Sequence, residues 1–138
     1  MANEIIRINE ENPSYTSMAL GTMDEKKAFY NAVENPEHKL SEFINKKITF
    51  SNVSMEAIEI ADKDDAGVPI PGTEKPTIKT VLVTSDGVGI ISTSMGVARS
   101  LYGMFNIFGT PDTWDTPMTV EVKQVEIGKN RTFKLKVV

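Results

Sequence analysis

The 138-residue chain has no cysteine, one histidine and one tryptophan. Without thiols there can be no disulfide, thiolate zinc site, iron–sulfur cluster or cysteine nucleophile. A single histidine also excludes a zinc site built on two or more imidazoles. That residue, His38, stands in the polar stretch NPEHKL after a helix stop and reads as a solvated side chain, not as a member of a Ser–His–Asp triad. No apolar run approaches the roughly 20 residues of a membrane span. The opening MANEIIRINEEN lacks a basic region followed by an apolar stretch, so it does not read as a secretory signal. These absences predict a non-enzymatic protein without cofactor, metal or membrane partner. Its expected compartment is the cytoplasm, or the host cytoplasm if the chain is viral.

What is present suffices for one core. Apolar residues make up 40% of the chain, a globular proportion once glycine is added. The net charge of −4 is unevenly spread. Residues 1–43 carry four basic and eight acidic groups, whereas residues 44–138 carry eleven of each. Within the latter, residues 117–138 hold five basic groups against two acidic ones, a local +3. Such a basic segment bears on partners, whereas the overall acidity bears on solubility.

The pattern along the chain predicts a mainly β fold. The first dozen residues read as an arm or a short strand. Thr22 and Glu25 have capping-box spacing at the head of MDEKKAFYNAVEN, and Asn35-Pro36 ends that helix. From residue 47 the period becomes alternating. KITFSNVSMEAIEIA reads as one long strand with a bend around Asn52–Ser54, where the phase of the apolar residues slips. The turn-rich DKDDAGVPIPGTEKP separates it from the strands TIKTVLVTS and VGIIST, which are joined by a turn at Ser85-Asp86-Gly87. SMGVARSLYGMFNIFG is helical, with Val97, Leu101, Met104, Phe105 and Phe108 on the apolar stripe. PMTVEVKQVEI and RTFKLKVV form a last hairpin through Gly128-Lys129-Asn130. Five strands with one helix between the third and fourth match a five-stranded oligonucleotide/oligosaccharide-binding (OB) barrel. The division is an N-terminal helical extension, 1–43, packing on an OB domain, 44–138.

The chemistry-bearing residues are cations and rings. On the C-terminal hairpin the apolar residues alternate with Lys123, Lys134 and Lys136, with Lys129 and Arg131 at the turn. Lys46, Lys47 and Lys79 lie on the first strands and Arg99 on the second helix. A row of such groups along extended strands can track a phosphate backbone, although lysines also protect strand edges from aggregation. Rings on which bases stack are the second requirement. Trp114, in GTPDTWDTP, and Tyr102 are the candidates; packing over the barrel end is the alternative for Trp114 and half-burial for Tyr102. Gly87-Val88-Gly89 is too short for a nucleotide fingerprint, and Asp62, Asp64 and Asp65 lack calcium-loop spacing.

Three runs carry a resemblance: TSMGVARSLY (93–102), IFGTPDTW (107–114) and RTFKL (131–135). Together they resemble the small single-stranded DNA-binding proteins of tailed phages over roughly residues 45–138. The resemblance implies an OB fold that coats single-stranded DNA during phage replication. The chain differs in stopping at Lys136-Val137-Val138, where many such proteins carry an acidic tail, and in its acidic extension 1–43. That extension is assigned to self-association or to contact with replication proteins. The competing expectation is a β-barrel protein–protein adaptor that binds no nucleic acid.

Overall fold

A computed structural model describes residue 8 and residues 13–128 and 130–138 of the chain. The first helix, α1 (Met23–Glu34), begins as its capping box requires. The Thr22 hydroxyl accepts the Glu25 N–H at 3.1 Å, and the Glu25 carboxylate accepts the Thr22 N–H at 2.9 Å. Strands β1 (Ser14–Thr16), β4 (Asn52–Ile60), β5 (Lys75–Val83), β6 (Gly89–Ser92) and β2 (His38–Lys39) form one sheet in that order. A second sheet has the order β3 (Lys47–Phe50), β7 (Met118–Ile127), β8 (Asn130–Val137). All pairs are antiparallel except β2 with β6.

The predicted long strand is two strands in two sheets. At Ser51 the chain leaves β7 and joins β5, and the Ser51 N–H donates to the Val83 carbonyl at 2.9 Å. The phase slip follows: Ile48 and Phe50 enter the core from β3, Val53 and Met55 from β4. A bend of this kind lets one stretch of chain serve two packed sheets. Past Met55 the core burial of β4 ends, and Ile60 is exposed although it remains paired with β5.

One apolar core lies between the two sheets and the second helix, α2 (Met95–Phe108). Phe50, Val53, Leu101, Phe105, Val120 and Val122 are all at most 1% exposed, each stabilising the fold by about 1.5–3 kcal/mol relative to an exposed position. The α2 stripe is buried as its spacing predicts, except for Phe108. This last residue of the helix is 46% exposed, directly before the chain reverses at Gly109.

The expected closed five-stranded barrel is not formed. Closure would join β6 to β8, and among the described residues those strands do not pair. Both edges are already occupied. The two-residue strand β2 takes the edge of β6, and α2 takes that of β8. The Ser94 and Ser100 hydroxyls accept the Phe133 and Leu135 N–H groups at 3.3 and 3.2 Å. Gly96 permits this approach, because a Cβ there would collide with the Phe133 carbonyl. Serine hydroxyls thus satisfy edge donors that a neighbouring strand would otherwise take.

The N-terminal region is woven into the sheet. Its strands β1 and β2 are the two edge strands, and Ile8 reaches the core, where its N–H donates to the Tyr102 hydroxyl at 3.0 Å. A second, smaller cluster lies on the outer face of the five-stranded sheet, where Ala32 and Val33 of α1 cover Val81 and Val83.

Candidate nucleic-acid interface

Strand alternation and register assemble the lysines. In the C-terminal hairpin, Val122 lies opposite Leu135 and both are buried. The intervening residues therefore face outward. Lys123 stands opposite Lys134, and Glu121 opposite Lys136. The neighbouring strand adds Lys47, also opposite Glu121, and Thr49, whose hydroxyl lies 2.8 Å from that of Thr119. Four lysines and one glutamate occupy this face, a net +3. Rows of these side chains repeat every second residue, about 6.6–6.8 Å along the strands, on strands about 4.8 Å apart.

Glu121 lies 3.2 Å from Lys123 Nζ on its own strand. Among the described residues no carboxylate is within ion-pair range of Lys47, Lys134 or Lys136. At the edge of β3, Lys47 and Thr49 share a groove with His38, Phe43 and the turn residues Thr84, Ser85 and Asp86, and α2 lies against the edge of β8. Cations directly opposite one another, as Lys123 and Lys134 are, oppose folding by a fraction of a kcal/mol.

The remaining sequence candidates lie elsewhere. Arg131 has the phase of Phe133 and Leu135, on the opposite side of the sheet from the lysines. It is 69% exposed and pairs with Glu126 at 3.5 Å. Lys46 is exposed one residue before β3, out of phase with Lys47. Lys79 belongs to the five-stranded sheet, opposite Glu56, and lines a groove beside α1 with Glu34 and Glu56. Arg99 is exposed on α2. Lys129 lies outside the described residues.

Neither ring candidate stands on the lysine face. Tyr102 is only 8% exposed and belongs to the core. Trp114 is half-buried at the end of the core, edge-on to Phe50 (5.8 Å between centroids) and tilted against Phe105 (6.4 Å). Its indole N–H donates to the Gly109 carbonyl at 3.0 Å. Such contacts fix the ring as packing across the bend between the sheets. The Thr49–Thr119 pair is the part of the site that the charge count overlooks; its signal is Thr49 alternating with Lys47.

Two titratable groups are perturbed. Burial pushes the Tyr15 phenol up to about 12, assisted by the Asp112 carboxylate. The Thr110 and Ser17 hydroxyls pull slightly the other way, though neither reaches hydrogen-bonding geometry. The Glu42 carboxyl is held below its ordinary value, chiefly by the Lys39 N–H and then by His38, whose Nδ1 lies 3.5 Å away. Among the described residues, no three His, Asp or Glu side chains are grouped to hold a metal ion, and no helix is long and apolar enough to cross a membrane. No family model matches the chain, and comparison with curated proteins and with solved structures gives no match.

Proposed function

We propose that this chain is a non-catalytic protein that binds single-stranded DNA with little sequence preference, as the resemblance to phage single-stranded DNA-binding proteins implies. The observation that carries the reading is the outward sheet face that sets Lys47, Lys123, Lys134 and Lys136 together. Lysines on a rigid sheet meet successive phosphates without reading bases, so affinity arises from counterion release and is sequence-tolerant. The strand order supports an OB-type plan opened between its third and fifth strands. Taken as one strand, β3 and β4 join both sheets; β5 and β6 continue one sheet, and β7 and β8 the other. The acidic region 1–43 is assigned to contact with replication partners or with a second copy.

Fluorescence polarisation with labelled poly-dT tests the reading. Four neutralised phosphates give a slope of log K against log[salt] near −3, from about −0.7 per phosphate. Replacing Lys123 and Lys134 with alanine is expected to flatten that slope by about 1.4. Absence of binding at low salt, or binding indifferent to salt, refutes the proposal.

A further inference from the structure

Strand β3 pairs with β7 on one side, and among the described residues no strand pairs with its other side. The Val122 N–H donates to the Lys46 carbonyl, so the even-numbered residues of β3 turn their backbone groups toward β7. The odd-numbered ones turn theirs the other way, and on that side the Ser51 N–H donates to the Val83 carbonyl of β5. Before Ser51 the same side offers the N–H and carbonyl of Lys47 and of Thr49, which no hydrogen bond among the described residues uses. A groove of about 470 Å³ runs along these open groups. Phe43, Ile48, Val88 and Ile90 give it apolar surface, and Asp86 lines it from the β5–β6 turn.

We infer that this edge of β3 docks an extended segment of a partner protein in which acidic and apolar side chains alternate, added to the sheet as a further strand. The open backbone groups of Lys47 and Thr49 supply the hydrogen bonds, the usual source of affinity in strand addition. Successive side chains of the added strand point to opposite faces of the sheet. On the outer face they fall beside Lys47, which among the described residues has no carboxylate in ion-pair range, at the border of a face carrying net +3. That row selects carboxylates. On the other face they meet Phe43, Ile48, Val88 and Ile90, which select apolar side chains. Asp86 stands across the groove, and Glu42 is already engaged by His38 and the Lys39 N–H. Lysines beside a short edge strand discourage pairing with basic or neutral strands, and the same charge admits an acidic one. Main-chain bonds carry this docking, so it does not depend on the single-strand-binding reading.

The probe is a short fluorescent peptide in which glutamate and valine alternate, titrated into the full-length protein at low salt. Polarisation reads binding, and amide hydrogen exchange reads where the peptide lies. The Lys47 and Thr49 N–H groups should exchange at least about tenfold more slowly once peptide is bound. The Ile48 N–H, already turned to β7, should not change. Thr49→Pro removes one open N–H without touching the β3–β7 bonds, a substitution that edge strands accept. It should weaken the peptide at least about tenfold, whereas Thr49→Ala should bind as the parent does. A peptide with lysine in place of glutamate should bind at least about tenfold more weakly. No binding of the acidic peptide, binding that leaves Lys47 and Thr49 exchange unchanged, or equal binding of the lysine peptide overturns the inference. Slowing of these two amides by poly-dT but not by peptide also overturns it and gives the edge to nucleic acid. The salt slope of poly-dT binding decides the single-strand reading separately.

Discussion

On the outer face of the five-stranded sheet, Val81 and Val83 lie beneath Ala32 and Val33 of α1. On the outer face of the three-stranded sheet, the corresponding layer is Lys47, Thr49, Glu121, Lys123, Lys134 and Lys136, with no helix above it among the described residues. Both sheets give their inner residues to one core. The difference is therefore not in how the strands fold but in what each outer face retains for solvent. Valines there require a cover, since bare apolar strands invite association. Lysines and threonines require none, and they keep an edge-rich sheet soluble. Solubility alone does not favour setting Lys123 directly against Lys134, which costs stability. Under the proposed single-strand-binding reading, an anionic partner gives that arrangement a purpose.

The most severe way to break this comparison is at Trp114, which spans the bend where the two sheets share β3 and β4. Trp114→Ala removes a ring packed on Phe50 and Phe105 together with its hydrogen bond to Gly109. A loss of about 3–5 kcal/mol is expected in urea unfolding. Binding to poly-dT by the folded fraction should change little, because the ring is not on the lysine face. A large affinity loss with unchanged stability would instead move the binding track to the Trp114 end of the core.

A smaller effect is expected where the cover meets the five-stranded sheet. At Gly89 an added Cβ would strike the Ala32 carbonyl, a backbone atom that moves only if α1 moves. Gly89→Ala should cost about 1–3 kcal/mol and expose Val81 and Val83, seen as increased binding of a hydrophobic dye. A thermally silent variant would mean that α1 covers this face only loosely.

How far the sequence foretold these faces depends on element length. The α2 stripe and the C-terminal hairpin each span several periods, so periodicity sufficed to place them and to turn Lys123, Lys134 and Lys136 outward, and the fixed capping-box spacing of Thr22 and Glu25 placed the start of α1. Strands β1 and β2 have three and two residues, too few to show any period, and their pairing is decided by neighbours distant in sequence. For that reason the N-terminal region reads as an extension although it supplies both edges of a sheet. Barrel closure failed as an expectation because Ser94, which precedes α2, and Ser100 within it occupy the edge of β8, a competition between side chains and a strand that no local pattern reveals. Tyr102, one position off the predicted stripe, is buried by Ile8, whose approach is a tertiary event.

Alkaline unfolding probes the core that both sheets share. With its phenol pushed up to about 12 from an ordinary value of 10.0, Tyr15 favours the neutral form in the folded chain. Its contribution is complete below pH 10, where the phenol is protonated folded or unfolded, and is lost as pH rises toward 12. At a half-buried side chain, solvent screening reduces the expected loss to about 1–2 kcal/mol. Urea midpoints at about pH 9 and about pH 11 should therefore differ more in the parent protein than in Tyr15→Phe. Equal differences would mean that Tyr15 is ionised as readily in the folded chain as in the unfolded one.

The smallest stability effect sharpens the comparison most, because it separates what the lysine face does for folding from what it does for binding. Lys134 lies directly across from Lys123, while Glu121, opposite Lys136 on the same face, is engaged by Lys123. Lys134→Thr removes the like-charge pair and supplies a β-branched residue suited to an outward strand position. Folding should become more favourable by about 0.2–1 kcal/mol, measured as a higher urea midpoint with an unchanged slope. Poly-dT affinity should fall at the same time, with the salt slope reduced by about 0.7. If both quantities fall, Lys134 is a structural residue and the face loses its strongest claim to an anion. If stability rises while affinity holds, the phosphates pass elsewhere, and Lys47 and Lys136 on the adjacent row become the next positions to replace. Opposite signs for folding and binding at one side chain are what a ligand site retained against local stability should give.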